Sequence, residues 1–149
     1  MLKILLPVDG SEAALLAVHH ALQLVGAGLK ARFVVANVQE SATLYELVVA
    51  HDPKVLQQVS EAAGRDLVRP AVALLSAAGQ QVETALASGD PAHMLAEILE
   101  SHGCDAVIMS ARGGGLRAAV LGSVSQEMVQ RSAVPVTLVK VPEGMTEED

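Results

Sequence analysis

The chain has 149 residues, enough for one domain with a buried core and short for two. Apolar residues make up 51% of the chain and aromatic residues only 1%, so its core has to be built from Ala, Val, Leu and Ile. A net charge of −7 argues against nucleic-acid binding, and the scarcity of aromatic rings argues against stacking of flavins or single strands. We therefore predict a single globular domain without a nucleic-acid partner.

The sequence also predicts a compartment. Cys104 is the single cysteine, so the chain cannot form an internal disulfide, and nothing indicates an oxidising environment. The apolar run that follows Met1 ends at Pro7, too early for the core of a signal peptide. No stretch is long and uncharged enough to cross a bilayer. We predict a cytoplasmic protein with no membrane partner.

Five short apolar runs have the pattern of strands in a parallel sheet. Most are nearly continuous in apolar residues, as expected where helices cover both faces of the sheet. The third run alternates more, which is typical of an edge strand. The predicted strands are Leu2–Val8, Ala31–Val38, Gln81–Ala87, Ala106–Met109 and Pro135–Val141.

Segments with helical periodicity separate these strands. Ser11 and Asp90 stand where helix N-caps are expected, and Pro91 suits the first helical position. Whether the region between Gln39 and Pro53 forms a further short helix is left open by the sequence. The predicted helices are Ala13–Val25, Pro53–Ala78, Ala92–Ser101 and Ser123–Arg131.

The long second helix carries two further expectations. Pro70 lies inside it and predicts a kink or break, because proline lacks the N–H that the helix needs. Its apolar residues recur at helical spacing and should face the core. The predicted core-facing set is Leu56, Val59, Ala63, Leu67, Ala71 and Leu74.

The regular alternation of strand and helix, without repeat or linker, predicts one doubly wound, Rossmann-like α/β domain over residues 1–141. The acidic segment 142–149 is expected to be a frayed tail. In such folds ligands bind beyond the carboxyl ends of the strands, where the strand order reverses. The loops Pro7–Ser11 and Ser110–Ser125, after the first and fourth strands, are therefore expected to meet at the site.

The second of these loops has the composition of a phosphate-binding loop. It contains the triple glycine Gly113–Gly115 and ends at Gly122 and Ser123, where a helix begins. Glycines let backbone N–H groups approach an anion closely, and a helix N-terminus adds partial positive charge. Two alternatives stay open: Asp9, at the facing loop, orders only its own turn or helix, and the glycine segment is an ordinary loop without a ligand.

The motifs that would indicate catalysis are missing. The sequence has no G-x-x-x-x-G-K-[ST] loop, which excludes a P-loop NTPase. Pro7 stands where an aspartyl-phosphate phosphatase needs its nucleophile. His19 and His20 are adjacent and cannot form an i, i+4 metal pair on a helix. We predict no catalytic residue and no metal-ligating residue.

Four segments together carry a resemblance: P-V-D-G-S-E after the first strand, G-D-P at a helix start, D-A-V-I-M before the glycine loop, and L-G-S-V-S-Q-E-M-V-Q-R-S-A-V-P-V-T-L-V-K near the end. With them the chain resembles the universal stress protein family over essentially its whole length. The resemblance implies an open five-stranded parallel sheet in the order 3-2-1-4-5 and a stress-response or sensor role. It also implies a homodimer formed through the fifth strand, Val134–Val141.

Many members of this family bind ATP, and the resemblance carries their site onto this chain. It implies an adenine nucleotide, with Mg²⁺ as its candidate companion ion. Gly122 and Ser123 match the start of the phosphate site, whereas two upstream glycines of the family fall on Met109 and Arg112. The implied nucleotide-binding set is Pro7, Asp9, Val38, Ile108, Met109, Arg112, Gly113, Gly115, Gly122, Ser123, Val124 and Ser125.

The departure at Met109 and Arg112 leaves a second function open. Gly113 and Gly115 lie just beyond and offer part of the missing cradle. If these two glycines do not replace the missing cradle, the chain is a family member that binds no nucleotide and acts through its dimer or partner surface. The resemblance also allows slow phosphoryl transfer to Ser123 or Ser125. A third alternative is a slow ATPase, for which no general base can be named.

Overall fold

The computed structural model describes residues 1–40, 53–111 and 122–142. Within these ranges, five parallel strands form one sheet in the order β3-β2-β1-β4-β5, which confirms the predicted fold. The strands are β1 Leu2–Pro7, β2 Ala31–Gln39, β3 Val82–Ser88, β4 Ala106–Ser110 and β5 Val136–Val139. The helices are α1 Glu12–Gly26, α2 Pro53–Ala77, α3 Pro91–Ser101 and α4 Ser123–Arg131. None of these helices is long and apolar enough to cross a membrane.

The core consists of two apolar layers, one on each face of the sheet. Successive side chains of a strand point to opposite faces. Accordingly Phe33 and Val35 pack with residues of α1 and α2, whereas Val34 and Ala36 pack with residues of α3 and α4. This double cover explains why the central strands are almost continuously apolar.

Two of the helices begin at side-chain caps that the sequence predicts. The Ser11 hydroxyl accepts from the backbone N–H of Ala14, with 3.2 Å between the oxygen and nitrogen. The Asp90 carboxylate accepts from the N–H of His93 at 3.0 Å, and a proline occupies the first turn. Each cap satisfies one of the first-turn N–H groups that a helix leaves without a partner.

Of the two alternatives at Pro70, a break is wrong, because α2 continues through this residue to Ala77, and a kink stays a prediction. Pro70 is exposed. The carbonyl group that loses its helical partner at a proline on the outer face can bond to water, which lowers the cost of the missing N–H.

The predicted core-facing set of α2 is partly wrong. Ala71 is buried, but Val59, Ala63, Leu67 and Leu74 are only half-buried, and the side chain of Leu56 lies outside what the structure describes. The buried stripe is Ser60, Gly64, Val68, Ala71 and Leu75. A pattern of apolar residues misses this face because its first half is polar or small. The Ser60 hydroxyl bonds to that of Ser88 at 3.2 Å, and Gly64 lies against Leu86.

Several expectations fall outside the described residues. The short helix considered between Gln39 and Pro53 would lie mainly at 41–52. Most of the glycine loop lies at 112–121, and the acidic tail lies almost wholly at 143–149. These expectations stay predictions.

Candidate functional site

A cleft of about 500 Å³ lies at the carboxyl ends of β1, β2 and β4. The chain turns to opposite sides of β1 here, toward β2 and β3 in one half and toward β4 and β5 in the other. This switch point is where doubly wound sheets bind ligands, and the volume suits a small molecule. The predicted site residues that line the cleft are Pro7, Asp9, Val38, Met109, Gly122, Ser123, Val124 and Ser125.

Ile108 differs from the other predicted residues. It is 3% exposed and packs with Ile4 and Leu6 in the core layer of α1 and α2, and it does not line the cleft. Met109, its neighbour along the strand, belongs to the opposite core layer and borders the cleft. Arg112, Gly113 and Gly115 lie outside the described residues, so their part in the site stays a prediction.

Asp9 organises the turn that follows β1. Its Oδ1 accepts from the backbone N–H of Ser11 at 3.0 Å and from the Ser11 hydroxyl at 2.6 Å. Gly10 between them has a φ of +87°, and a Cβ there would overlap Leu67, so glycine is required. The helix cap itself is Ser11. Asp9 is exposed at the cleft, and its carboxylate is an acceptor within reach of a ligand hydroxyl or amino group.

A pair of carboxamides beside this turn was missed in the sequence. Asn37 is 3% exposed on β2, and its Nδ2 donates to the carbonyl oxygen of Val8 at 2.9 Å. Its Oδ1 accepts from Gln39 Nε2 at 2.7 Å. Both residues line the cleft. The available signal was a lone Asn within an apolar strand, because a buried carboxamide needs partners.

The start of α4 forms the opposite wall of the cleft. Its N-cap is Gly122, with φ −69° and ψ 158°, and among the described residues no side-chain cap hydrogen bond is made at this helix start. The N–H of Gly122 itself donates to the carbonyl oxygen of Ala111 at 3.0 Å. The helix bonds begin with the N–H of Gln126, which donates to Gly122 at 3.0 Å. The first-turn N–H groups therefore lack helical acceptors at the cleft, where the helix dipole favours an anion.

Ser123 and Ser125 occupy different environments in this turn. Ser123 is exposed. Ser125 is 2% exposed, and its Oγ lies 2.7 Å from the carbonyl oxygen of Ala111 and 2.9 Å from that of Gly122. One hydroxyl proton serves these two acceptors. The Ser125 hydroxyl therefore holds together the two ends of the loop, while its backbone N–H belongs to the open helix turn.

The polar groups of the cleft are divided by type. Asp9 and Glu40 place acidic acceptors beside β1 and β2, whereas α4 places N–H donors beside β4. Among the described residues that line the cleft there is no Lys or Arg. In the same described ranges, no three His, Cys, Asp or Glu side chains are grouped so as to hold a metal ion. This arrangement suits a ligand with hydrogen-bond donors at one end and an anionic group at the other.

Two groups with shifted pKa values lie at the opposite end of the sheet. The pKa of Glu83 is lowered, mainly by a hydrogen bond from Lys3, whose Nζ lies 3.0 Å from Glu83 Oε1. Burial raises the pKa of the Cys104 thiol. Asp105 joins the same end of the sheet through its Oδ2, which accepts from the backbone N–H of Lys3 at 2.9 Å. Lys3 is therefore paired with Glu83 and Asp105 at this end of the sheet, away from the cleft.

The sequence as a whole matches the model of one protein family. The match to the universal stress protein family spans residues 1–140. The chain belongs to this family. A curated relative, a universal stress protein of Methanocaldococcus jannaschii, is 25% identical over 141 residues, which cover 94% of this chain and 82% of the relative.

Solved structures show the same fold at low sequence identity. The structure of the hypothetical protein MJ0577 superposes with a TM-score of 0.80 at 24% identity, covering 96% of this chain and 98% of that one. A universal stress protein in complex with cAMP superposes with a TM-score of 0.63 at 24% identity, covering 93% of this chain and 95% of that one. A family protein from Arabidopsis thaliana with AMP bound superposes with a TM-score of 0.65 at 18% identity, covering 93% of this chain and 91% of that one.

Proposed function

We propose that this universal stress protein is a cytoplasmic sensor module that binds an adenine nucleotide, ATP or a relative of it, in the cleft at the ends of β1, β2 and β4. The observation that carries the proposal is the uncapped start of α4, which faces the acceptors of the β1 and β2 ends across the cleft. Two proteins of the same fold have cAMP or AMP bound, which supports the choice of ligand.

The division of polar groups suggests how the nucleotide would lie. A carboxylate repels phosphate and accepts from hydroxyl groups, so Asp9 suits the ribose. Pro7 and Val38, on either side of it, offer apolar contact to the nucleoside. The first turn of α4, Ser123–Ser125, would receive the phosphate end at its N–H groups, which have no acceptor within the helix. Any Mg²⁺ would be held chiefly by the phosphates, because the described residues group no metal ligands.

Met109, which stands where the family motif has a glycine, does not fill the cleft. Its side chain is 6% exposed and packs in the core layer with Val107 and Met128, and the cleft lies beside it. The alternative, in which this chain binds no nucleotide, rests on Met109 and Arg112 closing the cradle. The packing of Met109 favours the nucleotide-binding function. Arg112 would act as a phosphate cation under this proposal.

Calorimetric titration with ATP, ADP and AMP tests the proposal. We expect Asp9→Ala to weaken binding about tenfold, since it removes a charged hydrogen-bond acceptor. Asp66→Ala is the matched control, because this carboxylate pairs with Arg69 on the exposed face of α2. An unchanged affinity in Asp9→Ala would remove Asp9 from the site. No binding of any of the three nucleotides at millimolar concentration would leave only the partner-surface function.

The proposal assigns binding and not rapid turnover. Among the described residues of the cleft, Asp9 accepts from a hydroxyl, but that hydroxyl belongs to Ser11, which caps α1. The buried Ser125 Oγ directs its proton to backbone carbonyls. A phosphate-release assay under saturating ATP should show no turnover above the buffer rate. A measurable rate that is abolished by one substitution in the cleft would contradict this assignment.

We also propose that the protein is a homodimer that pairs through the fifth strand, Val134–Val141. β5 lies at the sheet edge and pairs with β4 on one side. The carbonyl oxygens of Pro135 and Val139 accept from β4, so by alternation Leu138 directs its N–H away from β4. An open ladder of this kind is a ready surface for another strand.

Sedimentation of two Leu138 variants tests the dimer. Leu138→Pro removes the outward N–H, whereas Leu138→Ala removes a similar amount of side chain and keeps that N–H. We expect the proline variant to sediment as a monomer and the alanine variant as a dimer. Dimers of both variants would exclude pairing through this strand.

A further inference from the structure

The pair formed by buried Asn37 and half-buried Gln39 places a second recognition group at the cleft. A carboxamide loses free energy on burial unless its donors and acceptors are paired. Asn37 meets this requirement on both sides. Its Nδ2 donates to the Val8 carbonyl oxygen at 2.9 Å, and its Oδ1 accepts from Gln39 Nε2 at 2.7 Å.

These contacts determine how both carboxamides are oriented. A carbonyl oxygen can only accept, so Asn37 has to present Nδ2 to Val8 and therefore Oδ1 to Gln39. Gln39 then has to present Nε2 to Asn37, which leaves Oε1 as the acceptor atom of its side chain. Because Gln39 lines the cleft, the end of β2 carries an acceptor whose orientation is set from the core.

We propose that Gln39 is a specificity-determining residue that selects a 6-amino purine over a 6-oxo purine, and that Asn37 is its positioning residue. The inference rests on the proposed function. The 6-amino group of adenine donates hydrogen bonds and matches an acceptor such as Oε1. A 6-oxo group would meet Oε1 oxygen to oxygen.

Asn37 also links this acceptor to the ribose side of the cleft. The carbonyl that it holds belongs to Val8, which directly precedes Asp9. Gly64 lies beside this arrangement: a Cβ there would come within 3.1 Å of Leu86 and would reach ordinary contact with Asn37 Oδ1 at 3.5 Å. One buried side chain thus sets the relation between the purine acceptor and the acceptor proposed for the ribose.

The test compares the affinities for AMP and IMP, which differ at purine position 6, by calorimetry of the full chain. We expect the wild-type protein to bind AMP about tenfold more tightly than IMP. Gln39→Leu should bring this ratio close to one by weakening AMP alone. Asn37→Leu should lower the ratio as well, because it releases Gln39. Gln80→Leu is the matched control, since this glutamine is half-buried like Gln39, bonds to the Ala78 carbonyl and does not line the cleft.

Each outcome decides the inference. A merely structural role would weaken AMP and IMP by the same factor. An unchanged ratio in Gln39→Leu, or a wild-type protein without preference for AMP, overturns the inference and leaves the proposed function standing. A wild-type protein that binds neither nucleotide overturns the proposed function and the inference with it. If Asn37→Leu does not fold, Gln39→Leu carries the test, because its position is only half-buried.

Discussion

The starts of α3 and α4 are neighbours on one face of the sheet, yet they are built differently. The Asp90 carboxylate closes the first turn of α3 by accepting from His93 N–H, and Pro91 lacks an N–H altogether. The first turn of α4 has a glycine N-cap and no side-chain acceptor. The first arrangement closes its helix start from within, whereas the second leaves first-turn donors without a side-chain acceptor among the described residues. Under the proposed function, this difference separates a structural helix start from a binding one.

Gly122→Asp should give the start of α4 a side-chain cap like that of α3, and of the changes considered it should have the largest effect on nucleotide affinity. The new carboxylate would cap α4 from within and place negative charge where the proposal puts phosphate. We expect AMP and ATP affinity to fall at least tenfold, while the thermal midpoint stays the same or rises slightly, because Asp exceeds Gly as an N-cap by only a few tenths of a kcal/mol. Calorimetry and thermal melts measure the two effects.

Gly122→Ala is the control for that variant, since it adds a Cβ without an acceptor. The φ of −69° at this position suits any residue, so backbone strain does not confuse the comparison. Equal loss of affinity in both variants would mean that crowding, and not the cap, displaces the nucleotide.

Asp90→Ala sharpens the contrast from the other side. Loss of the cap should lower the free energy of unfolding by about 1 kcal/mol, because the N–H of His93 loses its acceptor. Nucleotide affinity should not change, since Asp90 does not line the cleft. Urea unfolding and calorimetry check the two halves. A loss of affinity would show that the two helix starts are coupled.

The smallest expected effect lies at the far end of the sheet. The pKa of Glu83 is lowered by Lys3, so the ion pair stabilises the fold at neutral pH and loses this effect as the pH falls below about 4.5, the ordinary value of the group. Glu83→Gln should reduce the fall in thermal midpoint between pH 6 and pH 4. Because the Glu83 side chain is 54% exposed, the change will be small. An identical pH profile would show that this pair adds nothing.

The sheet could be predicted from the sequence because its signals are local. Continuous apolar runs mark the strands, and Ser11 and Asp90 mark two helix starts within a few residues of their observed positions. The strand order came from the family resemblance, since no local pattern contains it. The buried face of α2 could not be predicted in full, because Ser60 and Gly64 are buried through contacts with β3 that lie far away in sequence.

The site could be predicted only in part for a similar reason. Asp9 and Gly122 stand at loop positions that sequence analysis can single out. Asn37 on β2 pairs with Val8 at the end of β1, and the residues around Asn37 in the sequence do not indicate which residue its partner is. The opposite positions of Ile108 and Met109 follow from strand alternation, which the motif comparison did not take into account.

The bonds that join Ala111 to Gly122 have a consequence for the ten residues 112–121 between them. The N–H of Gly122 and the hydroxyl of Ser125 both reach the Ala111 carbonyl, so the folded domain already holds the two anchor points together. The entropy of bringing together the ends of a ten-residue segment grows as the logarithm of its length, which amounts to about 2 kcal/mol. This loss of entropy occurs when the domain folds, so it does not reduce the free energy of binding a ligand. Between the same anchors, doubling the length of the segment would therefore cost the domain only about 0.6 kcal/mol more.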